Sequence, residues 1–389
     1  MFFHQIPEGQ PDPIFGLVST MTADLRPHKV DLLAGIYKNE HLQTELMPSV
    51  KQAKEEIMPA DLLANYLPMD GLPEFVDGIG RLSFGKDLWK DVHSRIYGAQ
   101  TVGGTGALRA GAEFLAQGVV KRIYIPEPTW PNHRSVFERA NLRVETYPYY
   151  DRAKRKFDIH SFERIEPKAA VLLHASCHNP TGCDPSLEEW RAIARLMKER
   201  QIVPFFDCAY QGLGSGIEED AEGLRQFVRE GLEFLVAYSC SKNFSLYCQR
   251  VGALFVVTEN QAVKLRVQSQ VKRIIRALYS NPPAHGARIV AHILQGSLFE
   301  SWKRDLAKIH SRITANRLEF VSRLMAKAKE VDFRPLLENK GMFSFLDLGK
   351  AEVRRLIEEF AIYVPENGRV NIVGLSPSNL DLVVDSVLK

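Results

Sequence analysis

Between about residue 100 and residue 257 the chain alternates apolar segments of strand length with amphipathic helical segments, and that alternation restricts what it can fold into. Arg122–Ile125, Val171–Ala175, Ile202–Phe206, Phe234–Tyr238 and Arg250–Val257 read as strands. Thr105–Gln117 reads as a helix entered from Gly103-Gly104. Ser186-Leu-Glu-Glu189 is a capping box that opens another helix, running to about Gln201. Strands and helices in this succession predict a mainly parallel sheet covered by helices, an α/β architecture. Ligands of such sheets bind beyond the carboxyl ends of the strands. Asp207, Ser239 and Lys242 each follow a strand directly, so they are expected on one edge.

The flanks read differently. Residues 1–32 are proline-rich and lack sustained periodicity, and are expected to cross a surface or reach a partner subunit. Pro48–Ile57 reads as a short amphipathic helix, and Asn65–Phe75 as a loop leading into another. After about residue 258 the pattern is helical. Ser297–Glu330 is long and amphipathic, suited to bridging two domains. Met342–Leu346 and Arg369–Val373 read as short strands around a helix at about 351–361, which suggests a smaller α+β domain at the C-terminus.

Fifty basic against 47 acidic residues leave a net charge of +3, and nothing there argues for nucleic acid. No apolar run approaches the roughly 18 residues of a membrane span, and Met1-Phe-Phe-His-Gln has no signal-peptide pattern. All five cysteines lie between Cys177 and Cys248, which reads as reduced thiols in a cytoplasmic protein.

Lys242, in Ser239-Cys-Ser-Lys-Asn-Phe244, lies between two apolar strands. Burial lowers an ammonium pKa, and a lysine so treated is a nucleophilic amine able to form a Schiff base with an aldehyde. Ser239, Ser241 and Arg250 suit a phosphate. A ligand with both groups is pyridoxal 5′-phosphate (PLP), although a lone lysine at a strand end reads as well as an exposed solubilising residue.

Other motifs are two-sided in the same way. Gly103-Gly-Thr-Gly106 at a helix N-terminus is an anion site or a plain tight turn; it is neither a dinucleotide fingerprint nor a P-loop. His174, Cys177, His178 and Cys183 fit no standard zinc spacing, and the expectation is no metal. Asp207, ending an apolar strand, needs a cationic or N–H partner, which a protonated pyridine nitrogen or an arginine would supply. Tyr210, three residues on, could reach the same ligand. Trp130 is a ring to stack on or a core residue. Arg276 and Arg369 are carboxylate clamps or solvated side chains.

In order and spacing, these stretches together resemble the fold-type I, class I aminotransferases, and within them the aspartate aminotransferases. The matching runs are Tyr66-Leu-Pro, Gly103-Gly-Thr-Gly-Ala-Leu108, Trp130-Pro-Asn-His133, Cys177-His-Asn-Pro-Thr-Gly182, Phe206-Asp-Cys-Ala-Tyr-Gln-Gly212, Ser241-Lys-Asn-Phe244, Arg250-Val-Gly252, Ser280-Asn-Pro-Pro-Ala-His-Gly286, Gly341-Met-Phe-Ser-Phe345 and Gly368-Arg-Val-Asn371. The resemblance implies a seven-stranded, mainly parallel sheet in a large PLP-binding domain (46–305). It also implies an N-terminal arm with part of the small domain (1–45) and a small α+β C-terminal domain (306–389).

It further implies roles. Lys242 would hold PLP covalently and, once freed, move the proton at the substrate Cα. Asp207 would keep the pyridine nitrogen protonated, oriented by His133. Tyr210 and Asn179 would bond the phenolate oxygen, and Trp130 would stack on the ring. Gly104, Thr105, Ser239 and Arg250 would hold the phosphate, joined by Tyr66 of a second subunit. Arg369, Asn179 and the backbone at Gly35 would hold the α-carboxylate, and Arg276 of the second subunit the side-chain carboxylate. The implied protein is a homodimer with shared active sites. It would transfer the amino group between L-aspartate and 2-oxoglutarate, the alternative being an aromatic amino acid aminotransferase or a dual enzyme. Asn179-Pro180 and Glu127-Pro128 would be cis.

Two departures stand out. Leu33-Ala-Gly-Ile36 replaces the family's Gly-Val-Gly run, and Cys248-Gln249 replaces its usual Asn-Glu before the arginine. Asn65, Lys38, Thr105 and Asn281 lean toward aspartate, and Ile36 leans away.

Overall fold

The computed structural model describes residues 2–9, 12–58 and 64–389. Seven strands form the central sheet: β1 (Ile96–Val102), β2 (Arg122–Glu127), β3 (Arg143–Pro148), β4 (Ala170–His174), β5 (Val203–Cys208), β6 (Phe234–Ser239) and β7 (Val251–Val257). Their spatial order is β1-β7-β6-β5-β4-β2-β3, and β7 alone runs against its neighbours. The reversal of β7 brings its first residue, not its last, to the carboxyl edge of the other six. Arg250 therefore arrives at the same edge as Asp207 and Ser239.

The strand pleat sends alternate residues to opposite faces. Phe205, Leu172, Leu235 and Leu254 pack with Leu108, Leu115, Val271 and Ile275 of the helices Gly103–Ala116 and Gln261–Leu278. Phe206, Val171, Val236 and Phe255 pack on the other face with Trp190, Met197, Leu224 and Phe227 of the helices Leu187–Glu199 and Glu219–Arg229. The Ser186 capping box closes as the sequence predicts, with Glu189 N–H donating to the Ser186 hydroxyl and Ser186 N–H to the Glu189 carboxylate.

Two strands escape sequence reasoning. β1 carries Gln100 and Thr101, polar yet fully buried. Gln100 is consumed internally, accepting from Leu72 N–H at 3.0 Å and donating to the Pro283 carbonyl at 2.7 Å. β3 is an edge strand whose polar residues are only partly covered, so its pattern is weak.

A third core joins the two chain ends. Val30 and Leu32 pack with Phe320, Val321, Leu324, Val370, Ile372 and Val383. Val30–Asp31 pairs in parallel with Ile362–Tyr363, and Phe343–Phe345 pairs antiparallel with Arg369–Asn371. The helix Phe299–Lys327 runs between cores, giving Trp302, Leu306, Ile309 and Ile313 to one and Phe320, Val321 and Leu324 to the other. The expectation of an aperiodic 1–32 is corrected here: Phe15–Ala23 is a helix. Its Leu17, Val18 and Met21 rest partly buried against Leu33, Ala361 and Tyr363, too shallow a contact to demand a strong pattern.

One backbone approach ties the sheet to the site. A Cβ added to Gly252 would lie 2.5 Å from the carbonyl carbon of Gly103 and 2.6 Å from the Tyr238 oxygen. Gly103 itself has φ +68, and its N–H donates to the Arg250 carbonyl at 2.9 Å. Gly252→Ala has only backbone to push against, so an overpacking loss of about 1–3 kcal/mol is expected in urea unfolding. It should come with weakened cofactor binding, because the helix start and Arg250 move together.

Candidate active site

The loops at the carboxyl edge converge on one cleft. Lys242 follows β6 in a turn, and its Nζ lies 4.9 Å from the centroid of the Tyr210 ring. Burial pushes its pKa down to about 8; the Asp207 charge opposes the fall, and Arg250 and Arg369 add to it. At neutral pH a usable fraction of the amine is then unprotonated, which an ordinary lysine does not offer.

Asp207 stands opposite His174 and Ala237 in the sheet, its side chain 12% exposed. Burial works to raise its pKa, but the hydrogen bond from His133, with the Lys242 charge beyond, outweighs that and holds it below the ordinary value. The carboxylate can only accept, so His133 Nε2–H is the donor, at 3.1 Å. His133 Nδ1 then accepts from the Thr129 hydroxyl at 2.8 Å. Trp130 meets the His133 ring edge-to-face at 5.1 Å.

The Cys177–Gly182 turn is set by hydrogen bonds from both sides. Asp184 accepts from the N–H groups of Cys177 (2.7 Å) and His178 (2.9 Å), and its carboxyl is pushed up to about 6 by burial. Asn179 N–H donates to His174 Nδ1 at 3.1 Å; burial drives His174 down to about 3, so it is neutral. Asn179-Pro180 and Glu127-Pro128 are both cis.

From this turn the Asn179 amide faces Tyr210 Oη at 3.5 Å, and its oxygen accepts from Arg369 at 3.1 Å. Burial pushes the Tyr210 phenol up. Arg369 is 2% exposed, lies 4.1 Å over the Phe343 ring and donates to the Leu33 carbonyl. Its Nε has no partner, no carboxylate of the described residues pairs with it, and burial lowers its pKa to about 10. Gly35 belongs to the same wall: a Cβ there would sit 2.9 Å from Phe343 Cζ.

Across the cleft, the first turn of the Gly103–Ala116 helix presents Gly104 and Thr105. A Cβ on Gly104 would lie 2.8 Å from Ser239 Cβ, and one on Gly103 would lie 2.5 Å from the Arg250 guanidinium. The Ser239 hydroxyl donates to Ser241 Oγ at 3.2 Å. Arg250, at φ +53, donates to Ser241 Oγ at 3.4 Å and to the Tyr247 carbonyl at 3.1 Å, with no carboxylate partner among the described residues. Helix N–H groups, two hydroxyls and an unpaired guanidinium compose an anion cradle.

Tyr66 and Arg276 stand apart. Tyr66 is 90% exposed, and Arg276 is exposed and donates to the Ser280 hydroxyl. The four residues of the metal alternative do not gather; among the described residues the group close enough for an ion is His133, His174 and Asp207. Sequence reasoning passed over Thr129, Asp184, Phe343 and Tyr247. Thr129 is one helical turn before His133 and could have been paired with it; the other three act through the fold.

These features define a class before they suggest a reaction. The Aminotransferase class I and II family model matches residues 27–387, and the chain belongs to that family. Over 99% of both chains it is 44% identical to the aspartate aminotransferase of Escherichia coli (strain K12). Among solved structures it resembles the aromatic-amino-acid aminotransferase of Burkholderia pseudomallei covalently bound to pyridoxal phosphate (40% identity, TM-score 0.95, covering 100% of this chain and 98% of that one). It also resembles the cytoplasmic aspartate aminotransferase of Saccharomyces cerevisiae (33% identity, TM-score 0.94, covering 99% and 97%).

Replacing Asp207 by Asn removes the charge that holds the Lys242 pKa up. The pH midpoint for acylation of Lys242 in the apoprotein, taken against Lys242→Ala, is expected near 8 in the parent and lower in Asp207→Asn. An unchanged or raised midpoint would contradict the electrostatic account.

Proposed function

We propose that the chain is a PLP-dependent aminotransferase exchanging the amino group between L-aspartate and 2-oxoglutarate, in alternating half-reactions. One observation carries the reading: a buried guanidinium with an unpartnered Nε, Arg369, faces the same cleft as a lysine with a lowered pKa. A buried cation without a counter-charge is costly, and an amino acid's carboxylate would pair with it bidentately.

The donor set fits PLP. The cradle of Gly104, Thr105, Ser239 and Arg250 suits its phosphate, Asp207 its protonated ring nitrogen, and Lys242 its aldehyde. Bound there, the cofactor would supply a carbonyl for amine exchange and a ring that accepts the electrons of the broken Cα–H bond. Lys242 would hold the cofactor by its amine and, once released, would serve as the base that moves the proton at the substrate Cα. Asp207, kept ionised and aimed by His133, would hold the ring nitrogen protonated. Tyr210 and Asn179 would bond the phenolate oxygen, and Trp130 would stack on the ring. Arg369, Asn179 and the Gly35 backbone hold the α-carboxylate.

Tyr66 and Arg276, exposed in one chain, reach the neighbouring site in a homodimer with shared active sites. Free thiols at all five cysteines support the cytoplasm as its location. Among the described residues, no helix is long and apolar enough to cross a membrane. The separate third core supports the division into 1–45, 46–305 and 306–389, with the long helix as the joint. A broader range that includes aromatic substrates is favoured by one comparison: a Psychrobacter aromatic amino acid aminotransferase cocrystallised with aspartic acid, 38% identical with a TM-score of 0.96, covering 100% of this chain and 99% of that one.

Steady-state rates with aspartate, tyrosine and phenylalanine against 2-oxoglutarate test the assignment, with aspartate expected to be best. Lys242→Ala is expected to retain PLP by its phosphate and ring contacts and to lose activity by several orders of magnitude.

Arg276→Ala should lose far more kcat/KM for aspartate than for phenylalanine, since charge-assisted bonds contribute roughly 1.5–3 kcal/mol each. Mixed with Lys242→Ala subunits, it should regain roughly a quarter of parent activity, because each hybrid dimer holds one intact site. Hybrids that form without recovery would place Arg276 outside the shared site.

A further inference from the structure

The cleft has two walls from distant parts of the chain, and one side chain joins them. One wall is the phosphate cradle, whose Arg250 donates to the Tyr247 carbonyl. The other is the Leu33–Lys38 segment, which carries Gly35 and receives the Arg369 guanidinium on the Leu33 carbonyl. The phenol oxygen of Tyr247 accepts the backbone N–H of Tyr37 at 2.9 Å.

Among the described residues, the segment's other hydrogen bonds come from its own neighbourhood, from Arg312 on the long helix, or from Arg369 and Asn371. Among the described residues, the Tyr37–Tyr247 bond is the one hydrogen bond that ties the segment to the stretch carrying Lys242 and Arg250. Tyr247 is tied to the cradle through Arg250, which donates to its carbonyl at 3.1 Å and whose own carbonyl accepts Gly103 N–H at 2.9 Å.

We infer that Tyr247 is a positioning residue: it fixes the Leu33–Lys38 segment, and with it Arg369, in register with the phosphate cradle, and so sets the affinity for the substrate α-carboxylate. This rests on the proposed role of Arg369. Among the described residues the phenol oxygen has one hydrogen-bond partner, Tyr37 N–H. Its loss should loosen carboxylate binding and leave the cofactor in place.

Asn371 grips the same segment from the opposite side, donating to the Ala34 and Ile36 carbonyls. Two groups that act through one element should not behave independently.

Tyr247→Phe keeps the ring and removes only the acceptor. Its test uses the holoenzyme and maleate, a dicarboxylate with no amino group to transfer, so that binding is read without turnover. One lost hydrogen bond predicts a roughly five- to tenfold rise in maleate Kd and aspartate KM. kcat should change by less than about threefold and the PLP affinity of the apoprotein by less than about twofold. Combined with Asn371→Ala, the rise should fall short of the product of the single effects.

Maleate affinity within about twofold of the parent would overturn the inference. So would a parallel collapse of PLP affinity and unfolding midpoint, or effects that multiply. A parent that binds maleate but transaminates nothing would overturn the proposed function while the Tyr247→Phe binding comparison still decides this inference. A parent that binds no maleate would overturn both.

Discussion

Desolvation of positive charge is the constraint on which the site depends. Lys242, Arg250 and Arg369 converge on one cleft, and among the described residues only Asp207 answers them directly with a charge. A fold that merely needed stability would pair such groups or leave them in water. Here the imbalance is kept. Burial, helped by the two guanidinium groups, lowers the Lys242 pKa to about 8, and the guanidinium groups stay ready for anions. Both guanidinium groups oppose the Lys242 ammonium, and a phosphate at Arg250 with a carboxylate at Arg369 would offset that opposition.

The scaffold explains how the imbalance is sustained. The antiparallel strand β7 turns Arg250 back to the edge where the parallel strands end, and Gly252 and Gly103 let two backbones meet there. The second arginine comes from the third core, whose small sheets bring Arg369 beside the Leu33 carbonyl across 336 residues of sequence. On the proposed assignment neither half would bind a whole amino acid: one would hold the amine chemistry, the other the carboxylate. On the proposed reading, the contact of Tyr247 with Tyr37 that joins the halves would bear on substrate rather than on cofactor, while Asn179, which meets Arg369, would serve both.

What was legible in the sequence follows the same division. Asp207, Ser239 and Lys242 sit directly after buried strands, and strand topology alone puts them together. The Ser186 capping box is local and came out as read. β1 was hidden because its polar Gln100 is satisfied by the distant Leu72 N–H and Pro283 carbonyl, and Thr101 by the Gly103 carbonyl two residues on, none of which periodicity announces. The Phe15–Ala23 helix buries little and signals little. Asp184 supports its turn by accepting backbone N–H groups, and nothing in the sequence sets it apart from other nearby acids for that job. The roles expected of Arg369, Gly35 and Asn179 came from family resemblance, because their meeting is a tertiary event.

The central claim is that this cleft exchanges an amino group with a carboxylate-bearing amino acid held by Arg369. The most direct measurement is a single half-reaction. Protein reconstituted with PLP is mixed with aspartate in the absence of any oxo acid, and oxaloacetate is quantified against active sites while the cofactor absorbance is followed. The account predicts a stoichiometric burst, about one oxaloacetate per site, with loss of the absorbance of the lysine-bound cofactor and its return on adding 2-oxoglutarate. A bound cofactor whose spectrum stays unchanged, with no oxaloacetate formed from aspartate, would contradict it.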